Sequence, residues 1–274
     1  MTSARGISKT DYQDTDDAVH RMRKTQKRAR AALRLERAIL GDAVYRDANR
    51  QLRDAGRPLT DSRDAAALMI TLESLQKPRE KRDAGSYSNC VRRQLQEEHL
   101  ARRDQFAATD LQSTIEILRT VRHRTRSLVG GSDSPSSRVG ILRTYRSGRK
   151  AMAKVRRHPT TLKFHEWRKQ AKYLGNELDL APRLLRSSLD KMRKHANRLA
   201  AVLGDDHDLA LLRAKLQELH ARLAPADSPG RRKFQHRIKR RRRKLQKKAL
   251  HLGHRLYADT VTAFDRKLAK LLAG

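Results

Sequence analysis

Residues 19–27 of the chain read VHRMRKTQK, and residues 164–172 read FHEWRKQAK. Both stretches contain the spacing H-x-x-R-K-x-x-K, which begins at His20 in the first copy and at His165 in the second. On a helix with 3.6 residues per turn the four positions share one stripe, and the apolar residues share a neighbouring stripe. The pattern therefore predicts two amphipathic helices, each with a row of cations beside its buried face.

A second pair of segments repeats in the same order. LTDSRDAAAL at 59–68 aligns with LGDDHDLALL at 203–212, an offset of 144 positions that nearly equals the 145 between His20 and His165. Two matching segments in one register indicate an internal duplication. We therefore expect two equivalent helical units, with the two motif helices in equivalent places.

The composition favours helices throughout. Of the 274 residues 37% are hydrophobic, only 4% are aromatic, and Ala, Leu, Arg and Lys dominate. The predicted fold is all-α, with two antiparallel four-helix bundles in pseudo-two-fold internal symmetry. The predicted divisions are a flexible N-terminal segment at 1–16, a first bundle at 17–129, a Gly/Ser/Pro linker at 130–137 and a second bundle at 138–274. The predicted helices cover about 17–40, 43–55, 62–76, two segments within 88–128, 137–157, 160–179, 183–203, 206–223 and 231–272.

The charge balance points to a polyanionic partner. The chain holds 64 Lys and Arg against 30 Asp and Glu, a formal net charge of +34. Such an excess repels itself in the compact state and attracts nucleic acid, anionic membrane or an inorganic polyanion. The single cysteine, Cys90, the lack of an apolar N-terminal region and the lack of a membrane-spanning run predict a soluble protein of a reducing, cytoplasmic compartment.

The cationic stripes are the main candidate site. Like charges three or four residues apart cost a few tenths of a kcal/mol per pair, and an anion would relieve this cost in both copies. The alternative is an ordinary charged helix surface. The motif candidates are His20, Arg23, Lys24, Lys27, His165, Arg168, Lys169 and Lys172. Further candidate contacts are Arg143, Arg146 and Lys150 before the second motif, Lys191, Lys194 and Arg198 after it, and Arg237, Arg241 and Lys244 in a basic tract.

That tract, RRKFQHRIKRRRRKLQKK at 231–248, also supports the alternative of a nucleic-acid-binding or compacting protein. Its apolar positions favour a folded basic helix over a disordered tail.

Other polar groups have ordinary explanations. Asp61-x-x-Asp64 and Asp205-x-x-Asp208 resemble helix caps, with an ion pair to a motif cation or a metal site as alternatives. His251 and His254 suit a helix surface or a metal. The sequence has no Gly-rich phosphate loop, nucleophile elbow or zinc spacing. We therefore predict no catalytic residue, metal or cofactor, with a phosphohydrolase or polyphosphate kinase as the alternative.

These four segments resemble the CHAD family, the conserved histidine α-helical domains, over about residues 15–270. The resemblance implies a basic cleft or pore between two four-helix bundles, which together form one domain at 17–274. It also implies non-catalytic binding of inorganic polyphosphate, association with polyphosphate granules and no membrane partner. By motif match the eight motif residues become phosphate contacts, and Arg28 and Arg30 continue the first stripe. Tyr173 and Gly175 stand at the corresponding place in the second copy, which implies fewer contacts there. No E-x-E-x-K pattern is found, so the chain looks like a stand-alone member.

Overall fold

The computed structural model describes residues 9–83, 85–104, 108–126, 136–181, 183–223 and 229–273. Over these ranges all regular secondary structure is helical, which confirms the predicted all-α class. The described helices are α1 (Lys9–Leu35), α2 (Arg37–Ala55), α3 (Pro58–Leu75), α4 (Pro78–Arg82), α5 (Tyr87–Asp104), α6 (Ala108–Arg126), α7 (Ser136–Arg157), α8 (Thr161–Leu180), α9 (Arg183–Ser188), α10 (Asp190–Leu223), α11 (Pro229–Leu256) and α12 (Val261–Ala273). None of them combines the length and apolar character that crossing a bilayer would need.

The helix predicted over 17–40 is divided in the structure. α1 ends at Leu35, and α2 begins at Arg37. Within α2, Gly41 has a φ of 75° and a ψ of 158°, a backbone conformation that is open only to glycine. The chain bends here because Gly41 supplies that conformation, and the bend falls at the predicted boundary between the helices over 17–40 and 43–55.

The break predicted between 203 and 206 is absent. Gly204, Asp205 and Asp208 lie in the interior of α10, so the prediction that Asp205 and Asp208 open a helix is wrong. The neighbouring Asp206 instead pairs with Arg242 of α11, with 2.9 Å between Oδ1 and Nε. Contacts between helices keep α10 continuous, although a glycine in a helix interior costs about 1 kcal/mol relative to alanine.

The last predicted helix, over 231–272, is two helices. α11 ends at Leu256, and the Thr260 hydroxyl caps α12 by accepting a hydrogen bond of 3.1 Å from the backbone N–H of Ala263. Helix α7 contacts the segment between α11 and α12, because the Tyr145 hydroxyl donates a hydrogen bond of 2.8 Å to the carbonyl of Asp259. The Thr260 cap is a local contact, whereas the hydrogen bond from Tyr145 is a tertiary contact that does not follow from local sequence.

Two apolar cores hold the helices together. The larger lies among α7, α8, α10, α11 and α12, and it also contains Leu72 of α3 and Val91 and Leu95 of α5. It therefore takes side chains from both sides of the predicted linker at 130–137. The smaller core joins α1, α2 and α6 through Leu33, Leu40, Ala48, Leu52 and Val121.

Helix α8 is enclosed by three neighbours. It runs antiparallel to α10, since His165 meets His207 near one end and Asp179 pairs with Arg193 near the other. It also packs against α7 and α1. The two motif helices, α1 and α8, are thus in direct contact, and the exposed side of α8 lies between α10 and α1.

Candidate functional site

Helix α8 carries the second motif on the border of its buried face. Thr160 caps the helix, because its Oγ1 accepts a hydrogen bond of 3.3 Å from the backbone N–H of Lys163. The predicted core positions are buried: Phe164, Trp167, Ala171, Leu174 and Leu178. The predicted cationic stripe is half-buried: His165, Arg168, Lys169 and Lys172. The amphipathic pattern of the second copy is therefore confirmed.

The imidazole of His165 meets the imidazole of His207 on α10. Their Nδ1 atoms are 3.2 Å apart, and the ring centroids are 4.3 Å apart. Burial lowers the pKa of His165, and the nearby Lys169 and Arg168 lower it further. Burial lowers the pKa of His207 to about 4, with His165 and Arg168 adding to the effect. Both rings are therefore mainly neutral at pH 7, and an anion bound beside them would raise both pKa values.

Arg168 lies against the backbone of α10. A Cβ placed on Gly204 would sit 3.5 Å from Nε and from Nη2 of the guanidinium, so this side chain packs against α10 at a position that has no side chain of its own. Lys169, on the outer side of the stripe, forms an ion pair of 2.7 Å with Glu166 one turn earlier. The stripe therefore has one cation packed into the helix interface and another at the surface.

Arg242 of α11 extends this positive region. Its guanidinium donates to both carboxylate oxygens of Asp206, at 2.9 and 3.3 Å, and its Nη2 donates to the hydroxyl of Thr161 at 3.1 Å. The charge of Arg242 also lowers the pKa of His207. Arg242 thus joins the start of α8 to α10 and lies close to the imidazole pair.

Helix α1 carries the first motif. The side chain of His20 lies outside the described residues. The remaining candidates are half-buried at Arg23, Lys27 and Arg30 and exposed at Lys24 and Arg28. Arg30 is oriented by α2, where its Nε donates to Oδ1 of Asn49 at 2.9 Å. Burial lowers the pKa of Arg30 from its ordinary value, whereas nearby Tyr173 raises it.

The two motif helices meet at Arg34. Its Nε is 3.2 Å from Oε1 of Glu177 on α8, and its guanidinium lies 3.8 Å above the ring of Tyr173. Tyr173 also interacts electrostatically with Arg30, so one aromatic side chain of α8 adjoins two arginines of α1. The structure thus brings the first and second copies together along the C-terminal parts of their stripes.

The other predicted contacts lie on three helices. On α7, Arg143 is half-buried and acts electrostatically on Glu177, while Arg146 and Lys150 are exposed. On α10, Lys191 and Arg198 are exposed, and Lys194 pairs with Asp190 at 2.8 Å.

On α11, Arg241 and Lys244 are exposed, whereas Arg237 pairs with Glu80 of α4 at 2.7 Å and lies over Phe234. Arg143 therefore reaches the junction of the motif helices, while Arg237 is held against α4 instead.

Sequence reasoning does not identify His207, Arg242 or Glu177 as part of this site. His207 belongs to the Asp-Asp-His-Asp run at 205–208, but its proximity to His165 results only from the antiparallel packing of α8 on α10. A candidate metal centre of three or more His, Cys, Asp and Glu side chains is not found among the described residues. His251 and His254 are exposed on α11.

Comparison with protein families gives one assignment. The model of the CHAD domain family matches residues 7–217. The match includes both motif helices and both copies of the second repeated segment, and it ends before α11. Comparisons with curated proteins and with solved structures give no significant match. With the family model spanning more than half of its length, this chain belongs to the CHAD domain family.

Proposed function

We propose that the protein binds inorganic polyphosphate without altering it, along the cationic stripes of α1 and α8. The observation that supports this most is the contact between the two motif helices at Arg34, Tyr173 and Glu177. Because of this contact the two stripes adjoin each other. A linear polyanion could therefore pass from one to the other.

The chemistry of the stripes suits a phosphate chain. Arginine offers a planar fork that contacts phosphate oxygens bidentately, and lysine offers a mobile point charge. One helical turn rises 5.4 Å, so cations on successive turns can meet successive or alternate phosphates. Imidazoles such as those of His165 and His207 add ring N–H donors.

We also propose that the site is not catalytic. Phosphoryl transfer commonly relies on carboxylates that hold divalent metal ions. The carboxylates nearest the stripes already have cationic partners, since Glu166 pairs with Lys169, Glu177 with Arg34 and Asp206 with Arg242. A phosphate-release assay with Mg²⁺ and Mn²⁺ tests this proposal, and release above the buffer rate would contradict it.

The repeated segments support a duplicated scaffold. We infer that the two motif helices are equivalent elements of two antiparallel four-helix bundles in a pseudo-two-fold arrangement. Polyphosphate would then bind where the two bundles meet. A protein that binds polyphosphate would accumulate where polyphosphate is stored, so we propose a cytoplasmic location at polyphosphate granules. A fluorescent fusion should co-localise with granules, and a variant with reversed stripe charges should not.

Binding to long-chain polyphosphate and to duplex DNA, measured in one buffer at physiological salt, tests the proposed function. We expect polyphosphate to bind more tightly, and a strong preference for DNA would overturn the proposal.

The variant with Lys24, Lys27, Lys169 and Lys172 changed to Glu should lose affinity for polyphosphate about 100-fold or more, since each charge-assisted hydrogen bond contributes about 1.5–3 kcal/mol. A control of equal charge changes four exposed lysines away from the stripes to Glu: Lys77, Lys81, Lys267 and Lys270. It carries the same net charge and should bind far more tightly than the stripe variant.

Duplex nucleic acid is a second candidate ligand, favoured by the outward face of α11. Helix α11 contains no Asp or Glu, and its solvent side is rich in exposed cations, including Arg232, Arg240, Arg243, Lys244 and Lys247. Phe234 is the only Phe, Tyr or Trp of α11, and its burial in the core argues against stacking on single-stranded bases. Contacts to a phosphate backbone need no such ring.

Deleting α11 would not test this second candidate, because Phe234, Ile238, Leu245 and Leu252 are part of the larger core. Changing Arg240, Arg243 and Lys247 to Gln removes charge from the exposed face alone. If DNA binding is lost and polyphosphate binding persists, the two activities belong to separate surfaces. Unchanged DNA binding would contradict a role for α11.

A further inference from the structure

An apolar cavity lies in the first half of the chain, between α1 and α6. Its volume is about 420 Å³, and the described residues that line it all belong to α1, α2 and α6. Its floor is part of the smaller core, to which Leu33, Leu52 and Val121 belong. We call this cavity the α1–α6 groove.

Helix α1 forms one wall of the groove. It runs antiparallel to α2, because Gln26 donates to the carbonyl of Leu52 and Arg30, one turn later, donates to Asn49. The lining positions of α1 include four residues at successive spacings of three, four and three: Met22, Thr25, Ala29 and Ala32.

Helix α6 forms the other wall and runs in the same direction as α1. Thr114 near its start donates to the carbonyl of Ala55 at the end of α2, and Arg124 near its end pairs with Asp47. The lining positions of α6 repeat the spacing of α1: Ile115, Leu118, Arg122 and Thr125. Alternating spacings of three and four are typical of a helix face that packs against another helix.

The inner surface of the groove offers apolar contact rather than hydrogen bonds. The Thr25 hydroxyl donates to the carbonyl of Arg21 at 3.1 Å, and the Thr125 hydroxyl donates to that of Val121 at 2.8 Å. Both hydroxyls are therefore already bonded within their own helices. Leu118 between the walls is only half-buried. An apolar surface that stays partly open to water marks an interaction site.

The rim of the groove is positively charged. Arg119 and Arg122 of α6 line it and are exposed. Arg21 and Arg28 are exposed on the side of α1 that also carries Thr25. Carboxylates along the rim would be attracted by these arginines, and further cations would be repelled.

The second half of the chain contains a helix at the corresponding place. There α7 packs against α8, which carries the second motif, and also against α12. Residues of α7 such as Ile141 and Tyr145 are part of the larger core. A helix thus covers the apolar side of the second motif helix, whereas the apolar side of α1 faces the groove.

We propose that the α1–α6 groove binds an amphipathic α-helix of a partner protein, whose apolar seam is flanked by Asp and Glu. The basic rim disfavours a second copy of this chain, since its formal net charge is +34. The motif cations Arg23 and Lys27 are each two positions from Thr25, which places them about 160° around α1 from the groove. The partner helix would therefore bind away from the cationic stripe, and the inference does not depend on the proposed function.

The probe is a synthetic peptide of about 20 residues, long enough to form an isolated helix. It carries Leu at spacings of three and four and Glu on both sides, and we call it the seam peptide. The control peptide has the same residues in scrambled order, so its net charge is equal but its apolar seam is lost. We expect the seam peptide to bind about tenfold or more tightly than the scrambled peptide, because helix-in-groove recognition needs aligned apolar anchors. The measurement is fluorescence anisotropy at physiological salt, and equal affinities would overturn the proposal.

Variants of exposed residues test where the seam peptide binds. Changing Arg119 and Arg122 to Glu reverses the charge of the rim and should lower the affinity about tenfold or more. The matched control changes Lys267 and Lys270 of α12, which are exposed and equally spaced, to Glu. It should retain most of the affinity, and an equal loss in both variants would overturn the proposal.

A second pair of variants tests the apolar contact. Ala32→Glu places a carboxylate in the groove at an exposed position, and Ala153→Glu makes the same change at an exposed position of α7. Circular dichroism shows whether each variant is folded. A folded Ala32→Glu protein should bind the seam peptide about tenfold or more weakly than Ala153→Glu, and equal binding would overturn the proposal.

Sedimentation and competition identify other occupants of the groove. We expect no dimer that depends on Ala32, and we expect palmitate, an anionic acyl chain, to leave the seam peptide bound. A wild-type dimer that Ala32→Glu abolishes would assign the groove to a second copy of the chain. Palmitate that displaces the peptide from wild type would assign it to an acyl chain, and either result would overturn the proposal.

Discussion

The Nδ1 atoms of His165 and His207 are 3.2 Å apart, although the two residues come from different helices. One ring has to donate a hydrogen bond and the other has to accept it, so the pair holds together only while at least one imidazole is neutral. Arg168 and Lys172 add positive charge around both rings. A phosphate chain beside the pair would offset that charge and favour an added proton, so we expect anion and proton binding to be linked.

The affinity for long-chain polyphosphate should therefore rise as the pH falls. Both histidine pKa values are lowered in the free protein, that of His207 to about 4, and a bound polyanion would raise them, so the complex takes up protons as the pH falls below 7 toward about 4. Titration calorimetry in two buffers of different ionisation enthalpy measures this uptake. His207→Asn should reduce it, while His254→Asn, an exposed site on α11, should not. Equal proton uptake by wild type and His207→Asn would contradict the linkage.

Salt should weaken binding steeply, because each phosphate contact releases a bound counterion. Changing Lys169 and Lys172 to Gln should make the plot of log affinity against log salt shallower by about one for each lysine removed. The measurement is a fluorescence-anisotropy titration at several salt concentrations. The same change at Lys267 and Lys270 of α12 should leave the slope unaltered, and an equal decrease there would show that the stripes have no special role.

The stability of the fold should depend on pH through Glu177. Burial raises the pKa of this carboxyl group to about 7, above its ordinary value of 4.5, although Arg34 and Thr144 oppose the effect. The folded state therefore holds the proton more tightly than the unfolded state. This contribution to stability is fully present below about pH 4.5 and is lost as the pH rises through about 7.

Relative to Glu177→Gln, wild type should lose up to about 3 kcal/mol of unfolding free energy between about pH 5 and pH 8. Urea unfolding of both proteins at the two pH values measures the difference. Parallel pH dependence in wild type and variant would contradict the prediction.

Two adjacent aspartates should differ sharply in their effect on stability. Asp206 is 1% exposed and accepts hydrogen bonds from Arg242 and from Gln246, the latter at 3.1 Å. Asp206→Ala leaves the largely buried Arg242 without its partner and should cost about 3–5 kcal/mol. Asp205 is exposed, so Asp205→Ala should change stability by less than about 0.5 kcal/mol. Urea unfolding provides the comparison, and equal effects would show that the pair with Arg242 is unimportant.

Periodicity is enough to predict the second motif helix in detail. The spacing of Phe164, Trp167 and Leu174 assigns the buried face, and the cations beside it follow from the same geometry. Helix ends are harder to predict, because they depend on contacts made elsewhere. Gly204 and Asp205 have the chemistry of a helix boundary, yet α10 continues through them, since Asp206 is paired with α11.

The candidate site likewise contains residues that the sequence predicts and residues that only the packing of helices brings there. The cations of each stripe can be read from sequence, because they repeat at helical spacing. Their partners cannot, since His207 reaches His165 only through the packing of α10 on α8, and Arg34 reaches Glu177 only through the packing of α1 on α8. The granule-binding role and the pseudo-two-fold bundles stay predictions.

The packing of α5 has a consequence for how the protein is made. Glu98 of α5 pairs with Lys215 of α10 at 2.9 Å, and Tyr87 packs edge-on against Phe234 of α11. Both partners follow by more than one hundred positions in the chain. A ribosome therefore delivers α5 together with α3 well before α10 and α11, and α5 can complete its packing against these later helices only near the end of translation.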